Sequence, residues 1–326
     1  MHRRWTVVAG SAAVAAFCTP AFALDDALDN ARILSDPLYL PMQGQLFGAT
    51  SYDWGSTGED SFDAAGARTA HSQITSNAAD QTLMYGLSDD LTLRFNWGYD
   101  WRSISRHEQP SGGIFRSSSG WTDPSFGVTW RAIDQAQGNA FDLDLRGDWS
   151  PDFFPAKTPA TEDEGTIARG GRSADLGLTF GRETRAFTLA GTFDALWYDT
   201  RTVLDQGTGF SNTTSPVWNY RLGLESQFRF DAPFSLNAGV GHTFNNDNTV
   251  FNGTTGLFHA TRGGGYSDVR AAVNYDFVPN TVVGSIGYQH NFYGDARNLF
   301  ADPANNTLVR NKDEDLVGVT LRYTMW

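Results

Sequence analysis

Cysteine is almost missing. Among 326 residues the one thiol is Cys18. It falls in an N-terminal stretch with the marks of a secretory signal: Arg3 and Arg4, a short apolar run over 6–17, and the small-x-small sequence Ala21-Phe22-Ala23. Cleavage over 1–23 removes Cys18, so the mature chain is expected to start at Leu24 without disulfide or thiol chemistry. Phe17 precedes that cysteine where a lipoprotein signal needs a small residue, which argues against lipid attachment. Long hydrophobic runs are missing as well. No later segment offers 18 consecutive apolar residues, which excludes a transmembrane helix. Positive charge is scarce. With Arg3 and Arg4 taken from the 24 basic residues, 22 remain against 37 acids, a net charge of −15, and that excludes a nucleic-acid partner.

Recognisable chemistry is also absent. The histidines are His2, His71, His107, His242, His259 and His290. None has a Ser at the spacing of a barrel phospholipase, and His71-Ser72 would point to opposite faces of a strand. No catalytic triad, His/Cys cluster or calcium loop is present, so no catalytic residue, metal or cofactor is expected. Gly263-Gly264-Gly265 lies between strand-like segments and reads as a flexible loop rather than a phosphate cradle.

What the chain does have is alternation. Leu91 to Trp101 reads Leu-Thr-Leu-Arg-Phe-Asn-Trp-Gly-Tyr-Asp-Trp, apolar at every odd position and small, polar or charged at every even one. A strand turns successive side chains to opposite faces, so one face is oily and the other carries Arg94, Asn96 and Asp100. Twelve such segments are expected, at 45–54, 79–87, 91–101, 125–133, 140–149, 173–181, 186–198, 217–230, 234–244, 267–277, 281–292 and 316–326. Most are near the 9–11 residues that a tilted strand needs to cross a bilayer. Short turns at 88–90, 134–139, 182–185, 231–233 and 278–280 alternate with long polar stretches at 55–78, 103–124, 150–172, 199–216, 245–266 and 294–315. That sorting predicts an all-β, up-and-down antiparallel transmembrane barrel of about twelve strands over 43–326, with short periplasmic turns and long extracellular loops. A soluble secreted β-sandwich, the competing fold, has no reason to sort its connections.

The aromatics, 10 Trp, 11 Tyr and 23 Phe, gather at strand ends. Tyr52, Trp54, Trp101, Trp149, Trp197, Trp218 and Phe292 are expected at the membrane interfaces, where a ring is buried and its polar edge stays wet. Trp326 closes the last strand and reads as the signal for the barrel-insertion machinery. It is out of phase with Tyr323, which calls for a bulge near Thr324–Met325. Acidic runs such as Glu162-Asp163-Glu164 and Asp313-Glu314-Asp315 are solvated loop tips or bridge divalent cations to lipid head groups.

Three short stretches carry a family resemblance: Arg32-Ile33-Leu34-Ser35-Asp36-Pro37-Leu38-Tyr39-Leu40-Pro41, Tyr85-Gly86-Leu87-Ser88-Asp89, and Asp123-Pro124-Ser125-Phe126-Gly127-Val128. From about Arg32 to Trp326 the chain resembles the outer-membrane proteins and transporters associated with meta-pathway phenol degradation. Ser88 stands where that family's turn has Thr, and Asp123-Pro124 where Gly-Asp is commoner. The resemblance implies the barrel and suggests a small aromatic solute.

Function is expected in the lumen. The alternation points Arg94, Asp100, Arg102, Arg131, Asp142, Asp144, Arg146, Asp148, Asp175, Asp194, Arg221, Glu225, Arg229, Arg270 and Asp276 inward, a nearly balanced set. Such charges either cross-link into a rigid plug or line a narrow passage with opposed fields. Residues 24–42 are expected as a periplasmic segment, either a short helix entering the lumen, from Asp25-Asp26 and the spacing of Leu24, Leu28 and Ala31, or a loose tail. The leading expectation is a non-enzymatic outer-membrane channel of a Gram-negative bacterium for a small solute. Its partners are outer-membrane lipids and the insertion machinery, and the oligomeric state is left open. A sealed structural or adhesive barrel is the alternative, and an outer-membrane hydrolase the third reading.

Overall fold

Residues 33–108, 112–158, 168–205, 209–230 and 233–326 are described by a computed structural model of the chain. The expected cleavage at 23 and the expected helix over 24–34 fall almost wholly outside these residues.

Twelve strands close on themselves. They are β1 (Leu46–Phe62), β2 (Arg68–Gly86), β3 (Leu91–Glu108), β5 (Ser125–Ile133), β6 (Asp142–Ser150), β8 (Ser173–Glu183), β9 (Phe187–Tyr198), β12 (Val217–Arg229), β13 (Phe234–Asn245), β16 (Tyr266–Val278), β17 (Val282–Tyr293) and β19 (Thr307–Met325). Each pairs antiparallel with the next, and β19 returns to β1 with Leu46 opposite Met325 and Trp54 opposite Val317. Closure leaves no unpaired edge, the condition for placing a sheet in lipid.

Outside this wall the expected long loops are largely strand. They hold β4 (Gly112–Trp121), β7 (Ala156–Thr158), β10 (Arg201–Asp205), β11 (Ser211–Thr214), β14 (Asn248–Asn252), β15 (Leu257–Gly263) and β18 (Ala296–Phe300). The expectation of an unstructured stretch at 55–78 is corrected. There β1 and β2 stay paired from Leu46/Tyr85 out to Phe62/Arg68 and reverse over five residues. Polar residues such as Glu59, Ser61 and Ser72 lack the apolar alternation that marks a membrane strand, yet backbone pairing alone extends the ladder into water.

The oily faces point outward as expected. Leu222, Val240, Val273, Val319 and Leu321 are exposed along the wall, and Ile286 is 65% exposed. Carbon surface of this extent has no place in water and marks the face that lipid covers. Tyr52, Trp54, Trp101, Trp149, Trp218 and Phe292 are likewise exposed on that face, and Trp197 is half-buried opposite Trp218.

The bulge expected near Thr324–Met325 is absent. Pairing of β19 with β1 is regular there, and its one shift lies far away, between Gly58 and Asp60. Met325 takes the last outward position, and Trp326 lies beyond the strand, 81% exposed. The phase mismatch is resolved by ending the strand one residue early.

Candidate functional site in the barrel lumen

The inward positions carry charge, and ring closure brings distant strands together over glycine. Arg94 on β3 reaches across β5 to Asp148 on β6, pairing through both Nε and Nη2, with Nε 3.0 Å from Oδ1. Gly127 on β5 lies beneath the bridge. A Cβ there would come within 1.9 Å of Asp148 Oδ1, so this crossing needs a residue without a side chain. Arg146 continues the network, donating from Nη2 to Asp175 at 2.8 Å and to Asp194 at 2.5 Å. Its Nε lies 3.3 Å from Asp148 Oδ2 without the alignment of a hydrogen bond. Farther round the wall Arg221 holds Asp268 at 2.9 Å, and Arg270 holds Glu225 at 2.7 Å and approaches Asp268 to 3.9 Å. A cavity of about 390 Å³ lies against Arg270, Glu225, Asp53 and Arg322.

Toward the short-turn end the charges are sealed. Arg131 donates to both oxygens of Asp144, at 2.8 and 2.9 Å, and lies 3.9 Å from Asp142, which is fully buried. What seals them is the stretch before β1. Residues 33–45 run as turns rather than helix. Leu38 is 0% exposed, with its methyls against Gly181, and its carbonyl accepts from Arg131 Nη2 at 2.6 Å. Asp36 accepts from its own loop at Leu38 N, from Thr188 Oγ1 at 2.6 Å and from Arg229. Arg229 is held on its other side by Glu183 at 2.5 Å. Ser35 accepts from Gln227 through its hydroxyl at 2.9 Å and from Asn237 through its carbonyl at 2.8 Å. Leu34, Phe47 and Val283 form a small apolar core beside it, with Tyr39 packed against them. Burial pushes the Tyr39 phenol above its ordinary pKa, so it stays neutral and donates to Gln45 at 2.9 Å.

The expected inward residues therefore fall into distinct settings. Arg94, Arg146 and Asp148 form one network with Asp175 and Asp194, and Arg221, Glu225 and Arg270 belong to a second. Arg131, Asp142, Asp144 and Arg229 point inward but against the N-terminal segment, not against open space. Asp100 and Arg102 belong to neither network and line an outer cavity of about 570 Å³. Asp276 sits at the short-turn end, where its Oδ1 finds no hydrogen-bond partner.

Sequence reasoning passed over Asp53, Asp80 and Asp268, although all three lie on the inward phase of a strand. Gly98 lies under Asp80 and Gly318 under Asp53, the same device as at Gly127. Asp36 carried no periodicity at all, because it reaches its partners from a turn. Among the described residues no group of three or more His, Cys, Asp or Glu side chains has the geometry to hold a metal.

No protein-family model and no curated protein sequence matches the chain. Solved structures do. The crystal structure of an outer-membrane channel from Pseudomonas putida F1 aligns with a TM-score of 0.56 at 17% identity, covering 88% of this chain and 97% of that one. The chain folds as an outer-membrane barrel. The transport unit of the autotransporter AIDA-I from Escherichia coli aligns with a TM-score of 0.54 at 11% identity, over 92% of this chain and 95% of that one. At such identities the likeness is one of fold, and the lumen has to be read from its own residues.

Proposed function

We propose that the protein is a non-enzymatic channel of the Gram-negative outer membrane that passes a small solute through a charged lumen. The observation that carries this reading is the unfilled interior. Cavities of about 390 and 570 Å³ lie between walls of arginine and carboxylate, where a purely structural barrel can fill its centre with side chains. The likeness to an outer-membrane channel supports it at the level of fold. Along the wall networks the charges are largely matched in sign, so that stretch of the lumen orients a polar solute rather than selecting strongly for one ion.

Passage requires that residues 33–42 leave the periplasmic end. The hydrogen bonds of Ser35 and Asp36 and the Leu38 contact hold that segment in place, and each is local, so the segment can swing out without disturbing the wall. The burial of this segment also favours a second reading, a barrel sealed permanently. Planar-bilayer recording separates the two. The channel reading expects small, intermittent steps from the full chain and a larger, longer-lived open level from Asp36→Asn, which takes the charge from the Arg229 contact. No current from either protein, both showing heat-modifiable gel migration, sinks it.

A further inference from the structure

Most arginines of the wall beneath the outer cavity have an acid, although Arg322, which donates to the Ser285 hydroxyl, does not; among the described residues the arginines of the outer cavity have none. Arg102 on β3, Arg116 on β4 and Arg201 on β10 all line it, and none of the three lies in an ion pair among the described residues. Arg94, Arg131, Arg146, Arg221, Arg229 and Arg270 below each have at least one carboxylate. Lys312, 3.9 Å from Glu59, also lines the cavity.

Among the described residues two carboxylates line it in return, Asp100 and Glu314. Glu314 is already committed. Its Oε1 accepts from Thr57 at 3.2 Å, and its Oε2 accepts from Asn291 at 2.7 Å and Tyr293 at 2.8 Å. Tyr293 in turn carries the Lys312 ammonium 4.3 Å above its ring. Asp100 makes no ion pair with Arg102, two residues away on the same face. Among the described residues the three guanidiniums therefore outnumber the carboxylates that line the cavity. Arg201 responds to that imbalance. Burial first, and then the Arg102 guanidinium, hold its pKa below the ordinary arginine value. Two guanidiniums that repel each other across a cavity are both relieved by an anion between them.

The rest of the lining is mixed: beside the hydroxyls and amide of Thr57, Ser76, Asn77 and Ser118 it has an apolar part. Ile74 on β2, Ile104 on β3 and Val203 on β10 face the same space. A free inorganic anion would leave those side chains unused. The volume, about 570 Å³, is that of a site for a small organic molecule.

We propose that this cavity binds a small organic carboxylate, its head group on Arg102, Arg116 and Arg201 and its apolar body against Ile74, Ile104 and Val203. The planar fork of a guanidinium matches a carboxylate with two parallel hydrogen bonds, a fit that an ammonium lacks. The proposal deepens the channel reading by naming the solute class, but binding itself does not require that the barrel conduct.

Isothermal titration of the full chain in detergent, with benzoate as the probe, tests it. Saturable binding of benzoate is expected. Benzamide, the same shape without the charge, and inorganic phosphate, the charge without the apolar body, are each expected to bind at least tenfold more weakly. The double variant Arg102→Gln/Arg201→Gln is expected to lose tenfold or more in benzoate affinity. Arg172→Gln, which removes an exposed rim pair with Asp199, is expected to leave it unchanged. Heat-modifiable migration verifies that each variant is folded. Benzamide binding as well as benzoate, phosphate binding better, or a double variant within twofold of the parent overturns the proposal. Benzoate binding without any bilayer current keeps the site and removes the channel. Current without benzoate binding does the reverse.

Discussion

At the periplasmic end Arg131 and Arg229 are buried, and carboxylates and a backbone carbonyl hold them in place. At the outer end Arg102, Arg116 and Arg201 face a cavity where the described residues offer no such partners. The residue type is the same and the setting opposite. A buried guanidinium is tolerable only when its counter-charge is built in, because desolvation of a lone ion costs more than the chain can recover elsewhere. An arginine that lines an open cavity with part of its surface exposed, as these three do, keeps part of its hydration and can reach a solute. One end of the lumen is thus built as a closure and the other as a receptor.

Arg131→Gln should show the contrast most sharply. It takes from the buried Asp144 the guanidinium that donates to both its oxygens, and a loss of about 3–5 kcal/mol is expected. Arg201→Gln removes no ion pair, and its stability should stay within about 0.5 kcal/mol of the parent. Urea midpoints of the gel-shift transition measure both. Equal losses would mean that the two ends are not built differently. Leu38→Ala comes next. It deletes the side chain packed against Gly181, and about 2–5 kcal/mol is lost from a site of this burial. Only the segment over 33–42 should loosen, seen as faster backbone hydrogen exchange there with β8 still protected. Exchange that rises throughout the wall would show that the closure and the barrel are one unit.

The smallest effect concerns the outer rim, at Asp199. Its carboxylate accepts from the backbone N–H of Thr200 at 2.8 Å and from Arg172 at 2.7 Å, and in that order these contacts lower its pKa below the ordinary 3.8. A lowered folded pKa means that the contribution is complete above the unfolded value and lost as the pH falls through the folded one. Protease cutting within 199–216 should therefore be flat from neutral pH to about pH 5 and rise only in stronger acid. Asp199→Asn should be cut faster at neutral pH. A parent profile that changes near neutrality would place the control of this loop elsewhere.

The wall was legible because lipid imposes a period of two on each strand, and the order of short and long connections follows from reversing direction eleven times. Leu91 to Trp101 already displays the rule. Arg94, Arg146 and Asp148 could be assigned to the lumen for the same reason, since phase alone decides which way a strand residue points. Partners were not legible. Arg94 meets Asp148 across a third strand, 54 positions along the chain, and nothing in either local sequence names the other. The loops were misjudged because strand pairing in water needs no apolar alternation to mark it.

By itself, then, the order of residues determined the number of membrane strands, their facing and the sign of each inward group, all properties of one strand and its solvent. The tertiary structure alone decided that Asp36 and Leu38 close the periplasmic end and that Arg102 and Arg201 are left facing an empty space. Those outcomes depend on which strands closure of the ring brings together. That distance runs through space and not along the chain.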